Sequence, residues 1–525
     1  MKIDINKDFK KALLIVEDSD RNIFITGKAG TGKSTFLNHL RSTTSKKMVY
    51  LAPTGVAAIN IKGQTIHSFF RFKPNVTLDK IKKLPKKSSN GIFKKLDAIV
   101  IDEISMVRAD LMDCVDKFMR LNGKNKDLPF GGSQMILIGD LYQLPPVVTG
   151  AEREIFKTHY KSRYFFDAHI FKDFEMEFVE LSKIYRQSDK NFIEILNAIR
   201  NNSATKDHLE MINARLNRES EPALKDLSIY LTTTNQMAKE INENRLKTLG
   251  SELKSYEGKI EGDFSEKTLP TDEELELKAG AQVMMLNNDS QGRWVNGSVG
   301  RIEEIVSSLD KDVIVIELSD GEIIEVTPHT WDLFHFVFDD ESSKLVSESV
   351  GSFTQYPLTL AWAITIHKSQ GKTFDNVIID IGKGTFAHGQ IYVALSRCTS
   401  LDGITLKRAI ENKHVFMDRR VVKFVTDHQY RLAEAIMSID EKIGFIDRAI
   451  KDAKRLEIVY LRASDEKSTR IIDPKYVGEM EYLGKSYIGV RGLDSKSNSE
   501  RNFRVDRILE LELADFTVPA VDGEL

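Results

Sequence analysis

Gly27-Lys28-Ala29-Gly30-Thr31-Gly32-Lys33-Ser34 follows the apolar run Ile23-Phe24-Ile25-Thr26 and precedes Thr35-Phe36-Leu37-Asn38-His39-Leu40. The octet fits G-x-x-x-x-G-K-[ST] and sits where its mechanism needs it, after a strand and before a helix. Its glycines let backbone amides wrap phosphates, and the following helix adds the positive end of its dipole. Lys33 is placed to reach the β- and γ-phosphates, and the Ser34 hydroxyl to ligate Mg²⁺. Gly27, Ala29, Gly30, Thr31, Gly32, Lys33, Ser34 and Thr35 are the expected nucleotide-binding residues.

The same event recurs outward from this octet. Met48 to Ala52 breaks into Pro53-Thr54-Gly55, Ala98 to Ile101 into Asp102-Glu103, and Met135 to Ile138 into Gly139-Asp140. Near-continuous apolar strands suit a parallel sheet covered on both faces, and polar residues at strand ends are where such sheets bind ligands. Asp102 is placed to hold Mg²⁺ through water, and Glu103 to orient or deprotonate the attacking water. Gln143, just beyond, suits sensing of the γ-phosphate.

Leu227 to Leu231 before Thr232-Thr233-Thr234-Asn235, and Val377 to Ile381 before Gly382, mark a second α/β domain. Between them the texture changes. Asp312 to Leu318, the turn Ser319-Asp320-Gly321 and Glu322 to Val326 read as a hairpin, so a small β domain is inserted there. Residues 421–456 read as mostly helical and 457–515 as β-rich.

A chain of 525 residues implies about three or four domains. Hydrophobic residues at 41% imply several real cores. The 75 Lys+Arg against 78 Asp+Glu leave −3, so local patches, not net charge, must identify a charged partner. The 2 cysteines, Cys114 and Cys398, are too few for a disulfide framework or thiolate metal cage and fit a reducing compartment. With no membrane-length apolar run and no signal-peptide layout at Met1-Lys2-Ile3-Asp4, a cytoplasmic protein is expected.

These stretches resemble the ordered motifs of superfamily I helicases. They are Gly27 to Thr35, Ala52 to Ala58, Thr65 to Phe70, Asp102 to Met106 and Gly139 to Val147. Ile184-Tyr185-Arg186-Gln187, Thr365 to Gly371 and Tyr392 to Thr399 continue the match. Pro129-Phe130-Gly131-Gly132 ahead of the Gly-Asp strand is similar to the petite-integration-frequency (Pif) helicases of subclass B, relatives of RecD. The resemblance implies an α/β fold of two RecA-like P-loop domains with an SH3-like β insertion in the second. It also implies ATP as cofactor with Mg²⁺, and 5′→3′ movement on single-stranded DNA. Arg186 and Arg397 match the two arginines that approach ATP from the second domain, and Gly371 matches a nucleotide-side glycine. One departure stands out: no Gln ahead of the P-loop matches the family's adenine-reading element.

The expected DNA track joins Pro53, Thr54, Gly55, Thr65, His67, Ser68 and Phe69 in the first domain to His367 and Lys368 in the second. Phe69, Phe70 and Phe72 either stack on bases or belong to the core. Between 71 and 100, Arg71, Lys73, Lys80, Lys82, Lys83, Lys86, Lys87, Lys94 and Lys95 face only Asp79 and Asp97. That stretch is a DNA-facing stripe or a solvated loop. Partners are single-stranded DNA and forked or tailed duplex, and a monomer is expected.

Ile458 to Leu461, Arg470 to Pro474, Ser486 to Val490 and Arg501 to Ile508 are similar to a WYL domain, a small Sm-like β-barrel, with only Tyr487 left of its naming triplet. Arg470, Arg501 and Arg504 are its expected DNA contacts, unless they pair with the domain's own acids. The implied boundaries are 1–180 for the first RecA-like domain, with a small wedge near 66–90. The second takes 181–245 and 352–425 and the insertion 246–351, leaving 426–456 as a helical linker and 457–525 as the WYL-like domain. Two rival readings are an ATP-gated DNA-binding regulator and a RecD-like subunit of a repair complex.

Overall fold

The computed structural model describes all residues except 1–3, 74–75, 86–90, 149–155, 157, 173, 219–226, 265–268, 308–310, 340–343, 383, 386 and 515–525. Lys86 and Lys87 of the basic stretch lie outside the described residues. The chain divides into two compact units, residues 1–200 with 204–416 and residues 201–203 with 417–525. No helix of the described residues is long and apolar enough to cross a membrane.

In the first unit, β1 (Ile23–Gly27), β2 (Met48–Ala52), β3 (Gln64–Thr65), β4 (Ala98–Ile101), β5 (Gln134–Ile138) and β6 (Glu177–Leu181) form one sheet. Its order is β3-β2-β4-β5-β1-β6, and every pairing is parallel. β1, β2, β4 and β5 are buried at every position, which is why their sequences do not alternate. Helix α1 (Lys7–Asp18) is capped by the Asn6 side chain, which accepts from Phe9 N. Its buried Phe9, Ala12, Ile15 and Val16 share one face, and Phe9 packs edge-on against Phe36 of α2 (Lys33–Thr43). Then come α3 (Gly55–Asn60), α4 (Ile66–Phe69), α5 (Ala109–Asn122) and α6 (Lys190–Arg200).

The second sheet begins with β7 (Ile229–Thr232), followed by α7 (Asn235–Thr248) and the insertion. The insertion holds β8 (Lys254–Glu257), β9 (Lys259–Gly262), β10 (Glu274–Leu277), β11 (Gln282–Met285), β12 (Val299–Val306), β13 (Val313–Leu318) and β14 (Ile323–Val326). It ends with β15 (His329–Asp339), β16 (Lys344–Gln355) and β17 (Leu358–Leu360). An antiparallel sheet ordered β14-β13-β12-β11-β17 buries Leu277, Val283, Ile302, Ile316 and Leu358. The insertion therefore runs past the expected end at 351, because Thr359 pairs with Met284 before the chain returns. A second core of Phe264, Trp331 and Phe353 packs on Ile59 of α3, and Phe336 N donates to Gln64 of β3 at 3.3 Å. These contacts seat the β15–β16 hairpin against the first domain's edge.

After the insertion, β18 (Ala363–Thr365), β19 (Val377–Asp380) and β20 (Ile404–Leu406) join β7 in the parallel order β18-β7-β19-β20. Helix α8 (Gln390–Leu395) lies between β19 and β20 in sequence and is buried on all sides.

The second unit holds α9 (Arg419–Ile436), α10 (Ile439–Lys451) and an antiparallel sheet. Its strands are β21 (Leu456–Leu461), β22 (Lys467–Tyr482), β23 (Lys485–Asp494), β24 (Ser499–Arg504) and β25 (Ile508–Leu513), ordered β24-β23-β22-β21-β25. Residues 426–456, expected to be a linker, are domain core instead. Ile439, Ile443, Ile446 and Ile450 form an apolar helical stripe that must be covered. Ile446 and Ala449 pack with Leu456, Ile458, Val490 and Ile508. The buried Lys442 ammonium donates to Ile508 O at 2.8 Å.

Ile446 is 0% exposed, so Ile446→Ala should destabilise the second unit by about 2–5 kcal/mol through lost burial and a residual cavity. The readout is the denaturant midpoint of the transition that is insensitive to nucleotide. A shift below about 0.5 kcal/mol is what a solvated linker helix would give, and it would contradict the core assignment.

Candidate active site

Every expected nucleotide-side residue of the first domain stands at a strand's C-terminal end. β1 delivers the P-loop, β4 delivers Asp102 and Glu103, and β5 delivers Asp140 and Gln143. The loop is held by close packing: a Cβ at Gly27 would lie 2.4 Å from Thr31 Oγ1 and 2.8 Å from Leu181 O. Lys33 folds back along the loop, and its ammonium donates to Gly27 O at 2.8 Å and Lys28 O at 3.0 Å. Thr31 is buried with its hydroxyl on Lys28 O, while Ser34 and Thr35 are exposed in the first turn of α2.

Charges of both signs share this space. Burial lowers the Lys33 pKa, and Asp140, Glu103 and Asp102 oppose that shift. Burial raises the Asp102 carboxyl, which Lys33 counteracts. Burial and the neighbouring Asp102 push the Glu103 carboxyl up to about 7. Glu103 also sits at φ 50°, a left-handed conformation that costs a non-glycine residue about 1–3 kcal/mol. Strain at an acid that ends a strand is a functional signature that sequence reading alone does not reveal. Gln143 donates to Asp140 Oδ2 at 3.2 Å, so it is anchored to the neighbouring acid. Asp140 also faces Arg200 of α6 at 3.5 Å, and the Arg200 guanidinium lies 3.7 Å from the Tyr142 ring centre.

Two arginines, Arg186 just past β6 and Arg397 just past α8, add further cations. At Gly30, φ +78°, a Cβ would lie 2.5 Å from the Arg186 Cβ, so that arginine's backbone rests on the P-loop. Arg186 donates to Ser396 O at 3.1 Å. Arg397 is 1% exposed and donates to Val393 O at 3.0 Å, Ser369 O at 3.3 Å and Ser396 Oγ at 3.0 Å. Its Nη1 also reaches Lys372 O at 3.4 Å, so Gly371 lies in the loop whose carbonyls hold the guanidinium. Burial, with Arg186 nearby, lowers the Arg397 pKa to about 9, while Glu103 acts in the opposite direction. The structure thus gathers Lys33, Asp102, Glu103, Gln143, Arg186 and Arg397 into one electrostatic unit. Sequence reading passed over Tyr392, Asp140 and Arg200, which belong to the same cluster.

The track expected for nucleic acid is mixed in its outcome. Thr54 caps α3 by accepting from Ala57 N, and Thr65 caps α4 by accepting from Ser68 N. A hydroxyl that accepts in this way keeps its own hydrogen to donate. Pro53, Gly55, His67 and Ser68 are partly exposed beside them. Burial lowers the pKa of both His67 and His367, so each is a neutral hydrogen-bonding group at neutral pH. Lys368 is exposed at the end of β18. Phe69 requires correction. It is 6% exposed and its ring is packed against Phe70, Phe93 and Phe336, so it is a core side chain and not a base platform. Phe70 is also buried, whereas Arg71, Lys73, Lys80, Lys82, Lys83 and Lys94 of the same stretch are exposed.

In the second unit the arginines meet their own domain's acids. Arg470 bonds the fully buried Asp494 at 3.0 Å with only 11% of its side chain exposed, so it is structural. Arg501 approaches the same carboxylate at 3.8 Å and Arg504 pairs with Asp506 at 2.7 Å, with 45% and 39% exposed.

Three family descriptions match the chain: PIF1-like helicase over residues 4–210, UvrD-like helicase C-terminal domain over 360–401 and WYL domain over 441–513. The chain is 33% identical over 440 residues to ATP-dependent DNA helicase PIF1 of Xenopus laevis. It is 31% identical over 421 residues to ATP-dependent DNA helicase Pif1 of Bdellovibrio bacteriovorus. The matches cover 82% and 77% of this chain, 65% of the first relative's length and 88% of the second's. The structure is similar to that of Bacteroides sp Pif1 in complex with ADP-AlF4, with a TM-score of 0.74, 37% identity, 82% of this chain covered and 98% of that one. A Bacteroides Pif1 helicase in complex with ADP-AlF3 and ssDNA matches at a TM-score of 0.60 and 38% identity, over 82% of this chain and 98% of that one.

The raised Glu103 pKa has a kinetic consequence. A base must be ionised to accept a proton, so kcat/KM for nucleotide hydrolysis should fall about tenfold per unit as pH drops below about 7 and level off above it. The limb should vanish in Glu103→Gln. A wild-type profile that stays flat down to about pH 5 would exclude Glu103 as the titrating base.

Proposed function

The chain belongs to the PIF1-like helicase family, and from that premise we propose that it is an ATP-dependent DNA helicase moving 5′→3′ on single-stranded DNA. The observation that carries this reading is the meeting of P-loop, acid pair and second-domain arginines, with the Arg186 Cβ close enough to exclude a side chain at Gly30. In this reading the loop amides and Lys33 hold the phosphates, Glu103 takes the proton of the attacking water, and Gln143 senses the γ-phosphate. Arg186 and Arg397 stabilise charge on the transferring phosphoryl group, an effect worth roughly 10³–10⁵ in rate in the best cases. Because both arginines come from the second domain, hydrolysis is tied to closure. Alternation of closure and opening drags single-stranded DNA along Thr54, Thr65, His67, His367 and Lys368.

Ser34 and Asp102 fit magnesium: a hydroxyl and one carboxylate leave the remaining positions to phosphate oxygens and water, the usual arrangement for that ion. Ser34 and Asp102 would hold Mg²⁺, which would supply neutralisation of phosphate charge. A monomer in a cytoplasmic setting is the reading we adopt, and the buried thiols Cys114 and Cys398 suit a reducing compartment. The second unit serves as an accessory single-strand contact through Arg501 and Arg504, whose guanidinium groups stay half exposed, with Arg470 left to its structural pair. The regulator reading, in which ATP only changes DNA affinity, finds no support in arginines held within electrostatic reach of Lys33 and Glu103.

Strand displacement on duplexes with single 5′ or 3′ tails tests the assignment. Unwinding of the 5′-tailed duplex alone is expected, and unwinding from 3′ tails would overturn the polarity. Lys33→Ala should abolish DNA-stimulated ATPase; near-normal turnover in that variant would remove the site. Glu103→Gln should bind ATP and single strand yet lose turnover by about 10²-fold or more, since only the base is removed.

Ending the chain after residue 416 should leave DNA-stimulated ATPase nearly intact while weakening affinity for single strand and unwinding. Equal affinity and unwinding in the truncated chain would show that the second unit makes no such contact.

A further inference from the structure

Helix α8 makes two separate contacts with the first domain's nucleotide face, and a third, at its C-terminal end, with Arg186. Its N-cap, Gly389, has φ +74°, and a Cβ there would lie 2.5 Å from Tyr142 O and 2.7 Å from Gln143 O. Just past its C-terminus, Ser396 O accepts from Arg186. Between them, Tyr392 is 3% exposed, and its phenol oxygen accepts the backbone N–H of Ala29 at 2.9 Å. The phenol also interacts electrostatically with Asp140, Arg200, Arg186 and Arg397.

Ala29 belongs to the turn that wraps phosphate, and its amide is one of the loop's donors. A backbone N–H carries one hydrogen and makes one well-aligned bond. The phenol oxygen and a phosphate oxygen are therefore alternatives at this donor. Tyr392 is also placed among the cations that a phosphate would meet, so its oxygen lies within the electrostatic reach of the anion's other partners.

We infer that Tyr392 is a displaceable stand-in for phosphate: nucleotide entry exchanges its hydroxyl for a phosphate oxygen at Ala29 and thereby moves helix α8 against the P-loop. The inference rests on the nucleotide-site reading above and adds a residue to it. Ser396 and Arg397 directly follow α8, so a shift of the helix also shifts the carbonyl that holds Arg186 and the Arg397 guanidinium. Loading of the site and delivery of the arginines become one motion. Tyr392 is then a positioning residue, and its hydroxyl works against the ligand it responds to.

Removing a competitor strengthens binding, which loss of an ordinary structural contact does not do. In the full-length chain, Tyr392→Phe keeps the ring and deletes the competing oxygen. Titration with a fluorescent ADP analogue and Mg²⁺ should give a dissociation constant about three- to tenfold lower than wild type. The ATP KM should fall in step, and the stimulation of kcat by single-stranded DNA should shrink because loading no longer drives the helix. Tyr164→Phe, which deletes a buried hydroxyl bonded to His388 at 3.0 Å, is the matched control and should leave nucleotide affinity unchanged. Amide hydrogen exchange over residues 27–33 supplies a second readout, and it should quicken in Tyr392→Phe without nucleotide. Unchanged or weaker ADP binding by Tyr392→Phe, or unchanged exchange over that segment, would overturn the inference. The site reading itself fails only if Lys33→Ala still hydrolyses ATP, so the two outcomes are separable.

Discussion

A lysine and three carboxylates share one desolvated space at the ends of β1, β4 and β5, and the rest of the first unit is arranged around that constraint. Buried charges are tolerable only when paired, and here like charges are also held side by side. Asp102 and Glu103 are adjacent and repel, which burial accentuates by raising both carboxyls. Lys33 is shared among Asp140, Glu103 and Asp102. Arg186 and Arg397 add two more cations, yet these repel each other, and Arg397 is lowered partly for that reason. Lys33, Arg186 and Arg397 face three carboxylates, so the set is formally balanced but strained by repulsion within each sign, and a phosphate group would meet all three cations in one place.

The scaffold holds this tension with neutral contacts. Arg397 is fixed by backbone carbonyls at Val393, Ser369 and Lys372, none of which carries charge. Gln187 ties the same loop by donating to Ser396 O at 3.2 Å and Cys398 O at 2.9 Å. The guanidinium keeps its full charge while its direction is set, so orientation and electrostatics are assigned to different partners. Arg200, by contrast, is stacked on Tyr142 and faces Asp140, which braces the loop after β5 from behind.

Local chemistry was legible in the sequence, and contacts between distant segments were not. The P-loop, the acid pair and the strand ends could be read because each depends on neighbours within a few residues. Phe69 shows the opposite case: its residue type suits base stacking, but Phe93 and Phe336 enclose it from far along the chain. The end of the insertion was misplaced because β17 is only three residues long and its pairing with β11 leaves no periodic pattern. The segment read as a linker showed helical spacing, but which domain its apolar stripe would cover depends on β21 and β25, which follow it. Tyr392 lies inside a motif that was recognised, yet its partner Ala29 is 363 residues away in the sequence. The arginines of the second unit were the correct residues to single out, and the buried Asp494 that claims Arg470 became visible only in three dimensions.

The position of the insertion also sets an order of assembly during synthesis. The first sheet is complete once β6 has been made, and all its strands come from one continuous stretch. The second sheet is not so placed: β7 pairs with β18 through Tyr230 and Ala363, and the whole insertion is translated between them. Closing so long a loop is a small thermodynamic burden, since its entropy grows only logarithmically, but it delays pairing until the ribosome has passed the insertion. Through that interval the apolar flanks of β7 have no neighbouring strand, the kind of edge that invites association between nascent chains. The insertion's own core of Val283, Ile302 and Ile316 needs nothing from β7 or β18 and is free to form first. Once it has folded, β11 holds β17 immediately ahead of β18, so the late strand is carried to its partner instead of finding it by diffusion. The domain that looks like an interruption is, on the ribosome, the jig on which the second half of the motor is built.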